Sequence, residues 1–559
     1  MAVSGAIDPI ELEVIRNALT AAAADMDVTM WRTSRSTIVR EMLDYSTAIF
    51  DAAGNNIAQS ARIPQHLNSM GYGLRAILER FIPAAEWQDG DVIITNDPYC
   101  GGQHLPDILS FRPVFEAGRC IAIVGTLCHH LDMGGMSPGS YAATATEIYQ
   151  EGLRIPPVKL FEAGRRNEAL WAMIGQNVRQ PATVMGDLQS QVASLGVGVE
   201  AITRLARRYG GATLQKAATR LLDLSEAAMR DCISRIPDGT YEFEDFLDDD
   251  GITPDRPVRI HAAITVAGDR LVVDLSGSAP EAAGPINATL GSSSSAVYFA
   301  IMAAADRPIV PNAGCYRPIE IIAPEGLIIS ARHPAPVAHR IAPCHVLLNV
   351  VFGALSQAIP DRMPAAYYAV SYVCSFQTRA SDGTRKVLVE IEVGGCGAHP
   401  RGDGANALSF GMHNNAAIPI EMIESDVPVT YLGYGLAPGS GGAGRQRGGL
   451  GLTRIWRIDS EAATFTAQMD RFRFTPFGLQ GGGAGAAGRL TLTRDGDLRD
   501  LPSKVANMPL RKGDIVQLVT SGGGGFGPPA ERDPAAIAAD REEGYVQQGY
   551  AQESYVRDA

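Results

Sequence analysis

Residues Gly90–Gly135 read GDVIITNDPYCGGQHLPDILSFRPVFEAGRCIAIVGTLCHHLDMGG and hold three of the chain's ten histidines and four aspartates. Two apolar runs carry the stretch, Val92–Thr95 and Ile121–Cys128. Each is short, β-rich and bounded by Gly, Asp or Pro, which predicts a buried strand. The first run is followed by Asn96, Asp97, His104 and Asp107, the second by His129, His130 and Asp132. Strands that end among imidazoles and carboxylates set a metal or acid–base site on a rigid frame. The rest of the chain is read around this candidate site.

At 559 residues the chain exceeds a single core, and the usual domain size predicts about three or four domains. A hydrophobic content of 46% with 19% charged residues is that of a soluble globular protein. Mean hydropathy is near zero, and no apolar run approaches the ~20 residues of a membrane span. The opening MAVSGAIDPIELEVIRNAL has neither a basic nor an apolar leader region, so no secretory signal is expected. A net charge of −13 argues against nucleic acid as a partner. Eight scattered cysteines without a CxxC fit reduced thiols in a cytoplasm. The 60 glycines concentrate in the C-terminal third, where they predict tight turns and close backbone approaches between apolar strands.

Taken in order, residues 8–33 predict a long helix with Asp8 as N-cap and Pro9 at its first position, burying Ile10, Val14, Leu19, Met26 and Met30. Tyr45–Phe50 predicts the first strand of a hairpin turning through Asp51–Asn56, with Asp44 just before it and His66 in a loop leading to a helix at about 70–82. Residues 136–157 read as an irregular loop carrying Glu147 and Glu151, and three helices fill roughly 165–235. From 236 the pattern turns to strands, with helices near 290–305 and 345–358. The expected class is α+β and multi-domain. Long packed helices lie against mixed or antiparallel sheets, and the C-terminal part is Gly-rich and β. The expected divisions are 1–235, a helix-and-strand domain with the metal site; 236–345, β-rich; 346–527, Gly-rich α+β; and 528–559, a helix and polar tail.

His104-Leu-Pro-Asp107 sets two ligand-type residues three apart with Pro106 stiffening the backbone between them. Nitrogen with carboxylate oxygen suits a borderline divalent ion such as Zn²⁺, Mn²⁺ or Fe²⁺, although a hydrogen-bonded loop pair has the same spacing. In His129-His130-Leu-Asp132, strand alternation sends the two imidazoles to opposite faces, and the sequence does not say which would be the ligand. Asp44 and His66, each taken alone, read as a cap or solvated group sooner than as a ligand. Cys100 and Cys128 read as small buried hydrophobes. GVGVEA at 196–201 resembles a phosphate loop but follows a helical stretch, and no GxxxxGK[ST] occurs, so no ATP site is expected in this chain. The glycine runs at 439–451, 481–485 and 522–525 read as sharp turns between strands.

Together PIELEVIRNAL, REMLDYSTAIFDAAGNNIAQSARIPQHLNSM, GDVIITNDPYCGGQHLPD, GTLCHHLDMGGMSPGS, DLSGSAPEAAGPIN, PAPVAHR, SGGAGRQRGGLG, RFRFTPFGLQGG and GGGGFGPPAERDP resemble the hydantoinase B/oxoprolinase family. The resemblance implies the metal-binding subunit of an ATP-dependent enzyme that opens cyclic amides such as hydantoins, oxoproline or lactams. It also implies an A-type partner subunit that takes up the ATP and phosphorylates the substrate, in a hetero-oligomer. Related ketone carboxylases and a non-catalytic scaffold are the alternatives. The metal, zinc or manganese, would by this resemblance be held by Asp44, His104, Asp107 and His129. His66, His130, Asp132 and Glu151 would then serve the substrate and proton transfer.

Overall fold

The computed structural model describes residues 7–380 and 382–546, so the polar tail expected beyond residue 546 lies outside the described residues. The first helix, Pro9–Thr33, is capped as expected: the Asp8 carboxylate accepts from Glu11 N at 3.1 Å. Leu19, Met26 and Met30 are buried as expected, together with Leu12, Ile15 and Ala22, whereas Ile10 and Val14 are exposed. The spacing of three and four residues is kept. This face packs against the long helix Pro181–Tyr209.

The site is carried by a seven-stranded sheet in the order β2-β1-β5-β4-β3-β6-β7. The strands are β1 (Tyr45–Phe50), β2 (Asn56–Gln59), β3 (Val92–Thr95), β4 (Asp107–Glu116), β5 (Arg119–His129), β6 (Val158–Glu162) and β7 (Arg165–Arg166). All its pairings are antiparallel. The hairpin β1–β2 and the strands β3 and β5 match the sequence reading. β4 lies outside that reading, because Pro113 and Arg112 break its apolar run; it makes Asp107 the first residue of a strand instead of a loop residue. The helix expected at 70–82 begins at Pro64, which places His66 in its first turn. GVGVEA lies inside helix Pro181–Tyr209.

Three further sheets follow, of four, four and five strands. Their only parallel pairing among the described residues joins Arg270–Asp274 to Ile319–Ile322. Buried apolar side chains from all three share one core, through which the wholly buried helix Ile341–Leu355 runs. The architecture is α+β, as the sequence predicts.

The glycine runs are not simple turns. Segments around 396, 442–449, 483 and 523–525 lie side by side, with Gly523 N donating to Gly449 O (2.9 Å), Gly449 N to Cys396 O (2.8 Å) and Gly525 N to Gly483 O (2.8 Å). A Cβ on Gly448 would stand 2.0 Å from Gly523 O, so these backbones approach closer than any side chain allows.

Candidate metal centre

The register of three strands brings the candidate residues together. Asp107 pairs with His129 at the end of the β4–β5 ladder, and Tyr45 pairs with Cys128 across β1–β5. Asp44, immediately before β1, therefore lies beside the end of β5, and His129 N donates to Asp44 O at 3.1 Å. His104 is folded back by a tight turn in which Asp107 N donates to His104 O at 2.9 Å. The result is a buried knot: His104 Nε2, His129 Nδ1 and Asp107 Oδ1 lie 2.9 to 3.3 Å from one another. Asp44 Oδ2 stands 4.0 Å from His129 Nδ1. His130 points to the other face, where its Nε2–H donates to Gln191 Oε1 at 3.0 Å, which resolves the strand alternation left open by the sequence.

The donor set fits a divalent cation for a reason visible in the protons. His104 Nδ1 donates to Ala338 O at 3.1 Å, which leaves a lone pair on Nε2. That lone pair faces the Asp107 carboxylate at 3.3 Å and His129 Nδ1 at 3.1 Å. Three acceptor atoms thus converge with at most one proton among them, on His129. Burial, with the Arg340 cation adding to it, pushes His104 down to about 3. Burial opposes ionisation of Asp107, yet the Arg340 guanidinium hydrogen-bonded to it holds its carboxyl well below the usual range. A neutral His104 imidazole beside an ionised, fully buried carboxylate is a state suited to binding a metal.

Residues from the second half of the chain fix this knot from behind. Arg340 Nη2 donates to Asp107 Oδ2 at 2.8 Å, leaving Oδ1 for the centre. Glu151 Oε1 accepts from Val337 N and Ala338 N, at 2.7 and 2.8 Å, and so holds the loop whose carbonyl orients His104. Burial raises Glu151 to about 8. Asp132 is fully engaged by Gly134 N, Gly139 N, and Arg179 N and Nη1. His130, Asp132 and Glu151 are not brought to the cleft beside the knot. His66 is: its Nε2 lies 3.6 Å from Asp44 Oδ1, and burial lowers its basicity.

That cleft has about 20 Å³ of free space, room for about one water. It is lined by Asp44, His66 and His129 and by Arg340, Ser371 and His413. The sequence reading does not reach the last three. Arg340 ends the PAPVAHR stretch, but Ser371 and His413 are isolated in sequence and carry no local signal. Behind His413 stands His345, with their Nε2 atoms 3.1 Å apart. Burial pushes His413 down to about 3 and His345 well below the ordinary value, so both rings are neutral.

The fold thus gathers His104, Asp107 and His129 at the ends of one sheet into a buried cluster that could hold a metal ion. The chain belongs to the hydantoinase B/oxoprolinase family, whose model matches residues 8–529. It is 32% identical to a putative D-/L-hydantoinase subunit from Pseudomonas sp. (strain NS671), over 97% of this chain and 93% of that protein. It is 34% identical to the beta subunit of caprolactamase from Pseudomonas jessenii, over 97% and 94% of the two chains. The crystal structure of the ATP-dependent caprolactamase from Pseudomonas jessenii superposes with a TM-score of 0.92 at 32% identity, covering 99% of this chain and 97% of that one. Nucleotide-free acetone carboxylase shares the fold at a TM-score of 0.90 and 21% identity, covering 98% of this chain and 79% of that chain.

Proposed function

We propose that this chain is the metal-bearing subunit of an ATP-dependent cyclic-amide hydrolase that acts on a substrate phosphorylated by an A-type partner subunit. The observation that carries the reading is the buried convergence of His104 Nε2, His129 Nδ1 and Asp107 Oδ1, a donor set short of protons and flanked by Asp44. In this reading those three side chains and Asp44 hold one zinc or manganese ion. When bound, the ion supplies Lewis-acid activation of a water or of the carbonyl oxygen. Arg340 keeps Asp107 ionised and oriented. His66, beside Asp44 and open to the cleft, moves the proton at its Nε2.

Several observations support the finer points. The names of the hydantoinase and caprolactamase relatives speak of cyclic amides and of subunits. The absence of a GxxxxGK[ST] motif in the sequence supports ATP use by a partner. Among the described residues no helix is long and apolar enough to cross a membrane, and the unpaired cysteines support a cytoplasmic setting.

The test is product analysis by mass spectrometry. This chain is purified with an A-type partner and given ATP, divalent metal, and hydantoins, oxoproline, lactams and ketones, with and without bicarbonate. ATP-dependent gain of one water on a cyclic amide is expected. Bicarbonate-dependent gain of carbon dioxide on a ketone would instead make the chain a carboxylase component.

A further inference from the structure

Among the described residues, each of the four sheets ends in two edge strands. An edge exposes a row of unpaired N–H and C=O groups, and folded chains guard such rows with charge, proline or cover. Of the first sheet's edges, β2 is largely buried and β7 is Arg165–Arg166. Of the others, Gly239–Leu247, Ile319–Ile322, Arg385–Glu392 and Asp497–Leu501 carry charged side chains, and Lys504–Arg511 carries both charge and Pro509. The strand Val429–Leu436, at the edge of the five-stranded sheet, reads VTYLGYGL and has neither charge nor proline. Its Leu432, Tyr434 and Leu436 are 48%, 51% and 37% exposed. An exposed, uncharged edge of this length marks a place prepared for another strand.

The register locates the free groups. Leu436 pairs with Leu452, and Tyr434 with Arg454, on the neighbouring strand Leu452–Ile458. One step further on, Ala437 N donates to Gly451 O at 2.8 Å. Backbone groups along an antiparallel strand alternate in direction, so Ala437 and Gly435 point at the neighbour while Leu436 and Tyr434 point out of the sheet. Leu452 agrees with this. Its N–H donates to Thr520 Oγ1 at 2.8 Å and its carbonyl accepts from Thr520 N at 2.9 Å, both on the side away from Leu436. The row is bounded at both ends: Tyr431 N already donates to Glu424 Oε1 at 2.7 Å beside a bulge, and Pro438 has no N–H. What stays free is Leu432–Leu436, and its sequence, Leu-Gly-Tyr-Gly-Leu, reads the same in either direction about Tyr434. The Tyr434 ring is held in place, with its centroid 4.2 Å from the guanidinium of Arg454, a buried side chain that donates to Glu390 Oε1 at 2.6 Å.

From this symmetry we infer that Leu432–Leu436 is an interface between two copies of this chain, paired antiparallel across a two-fold axis at Tyr434. A two-fold interface is self-complementary, and this segment meets that condition residue by residue. Tyr434 lies opposite Tyr434 of the second copy, Gly433 opposite its Gly435, and Leu432 opposite its Leu436. The outward N–H and C=O of the two Tyr434 residues then form a hydrogen-bonded pair, and the two five-stranded sheets continue as one. No like charges are brought together. Tyrosine anchors such a contact well, because it offers a large area with few rotatable bonds, and here its ring is already fixed by Arg454. A paired strand of this length buries less than the ~1,200 Å² of a standard stable interface, so the pair forms and dissociates with concentration.

The test uses the full chain. Light scattering on a size-exclusion column, run from about 1 to about 100 μM, is expected to show the mass rising from one chain towards two. Tyr434→Lys, which sets two cations face to face on the axis, should hold the mass at one chain with an unchanged thermal midpoint. Cysteine cross-linking then reads the register. The native cysteines are unpaired and all but Cys120 are buried, so wild type gives the background. The Cα atoms of a hydrogen-bonded pair lie ~5.5 Å apart, within disulfide reach, whereas residues two positions from the axis are too far from their own copies. Under mild oxidation Tyr434→Cys should therefore form a covalent dimer. Leu432→Cys and Leu436→Cys should each fail alone and cross-link when mixed. A mass of one chain at every concentration would overturn the pairing, as would a dimer indifferent to Tyr434→Lys or a Tyr434→Cys variant that cross-links no more than Leu436→Cys. Protection of residues 432–436 from hydrogen exchange in a chain that stays monomeric would assign the edge to a different occupant and overturn it too.

Discussion

Glu151→Gln tests whether a buried, uncharged carboxyl locks the loop behind His104. Glu151 is 1% exposed, its Oε1 accepts two backbone N–H groups, and its Oε2 has no partner. Burial raises its pKa from 4.5 to about 8. At ~1.4 kcal/mol per pKa unit this amounts to ~5 kcal/mol of pH-dependent stability. The sign follows from the direction of the shift. The folded state prefers the protonated form, so the stabilisation is fully present below pH 4.5 and is lost as pH rises through about 8. The amide in Glu151→Gln keeps an oxygen for Val337 N and Ala338 N but places an NH₂ without an acceptor, at a cost of about 1–2 kcal/mol at every pH. The two proteins should therefore be about equally stable near pH 6, and the variant ahead by ~3 kcal/mol at pH 9. Urea titrations at pH 6, 7.5 and 9 measure this as differences in the first unfolding midpoint, because a chain of this size need not unfold in one step. Midpoints that fall in parallel for both proteins across that range would refute the argument, since every other titrating group is common to both.

Removing the imidazole in His104→Ala should take bound metal from about one ion per chain to near zero and abolish turnover, while size-exclusion chromatography with the A-type partner stays unchanged. Full metal content and activity in that variant would sink the site assignment. In the glycine bundle, Gly448→Ala drives a methyl to 2.0 Å from Gly523 O and should cost about 3 kcal/mol or more. Gly196→Ala, whose Cβ meets nothing within 4 Å on helix Pro181–Tyr209, should stabilise by roughly 0.5–1 kcal/mol. A thermal scan in which the two substitutions behave alike would contradict the packing described.

What can be read in advance tracks how local each cause is. Asp8 and Pro9 signal a helix start through groups within one turn of each other, and that helix begins where expected. Val92–Thr95 and Ile121–Cys128 are short apolar runs between turn residues, and both lie in strands. β4 is hidden because its signal lies in its neighbours: Arg112 and Pro113 are tolerated only since β5 and β3 flank it on either side. The glycine runs mislead for a related reason. A glycine read alone signals a turn, whereas these glycines exist so that four distant segments can touch backbone to backbone. His104 and Asp107 announce themselves by spacing, but Arg340, Ser371 and His413 reach the same cleft from more than 200 residues away, and no local pattern marks them.

That separation has a consequence for how the centre forms. The proposed ligands Asp44, His104, Asp107 and His129 all lie on or beside the first sheet. The groups that set their protonation and direction come from residues 337–340, and other residues lining the cleft from 371–415. The first sheet folded alone would leave the Asp107 charge without Arg340 and His104 without the carbonyl that fixes its tautomer. A buried carboxylate stripped of its cation costs about 3–5 kcal/mol, so the bare knot would open or take up a proton instead of waiting preformed. The second half folded alone would leave Arg340 without the Asp107 carboxylate. The Arg340–Asp107 pair and the Glu151 loop lock therefore join the two halves at this centre. Loss of any one of these contacts should loosen the others.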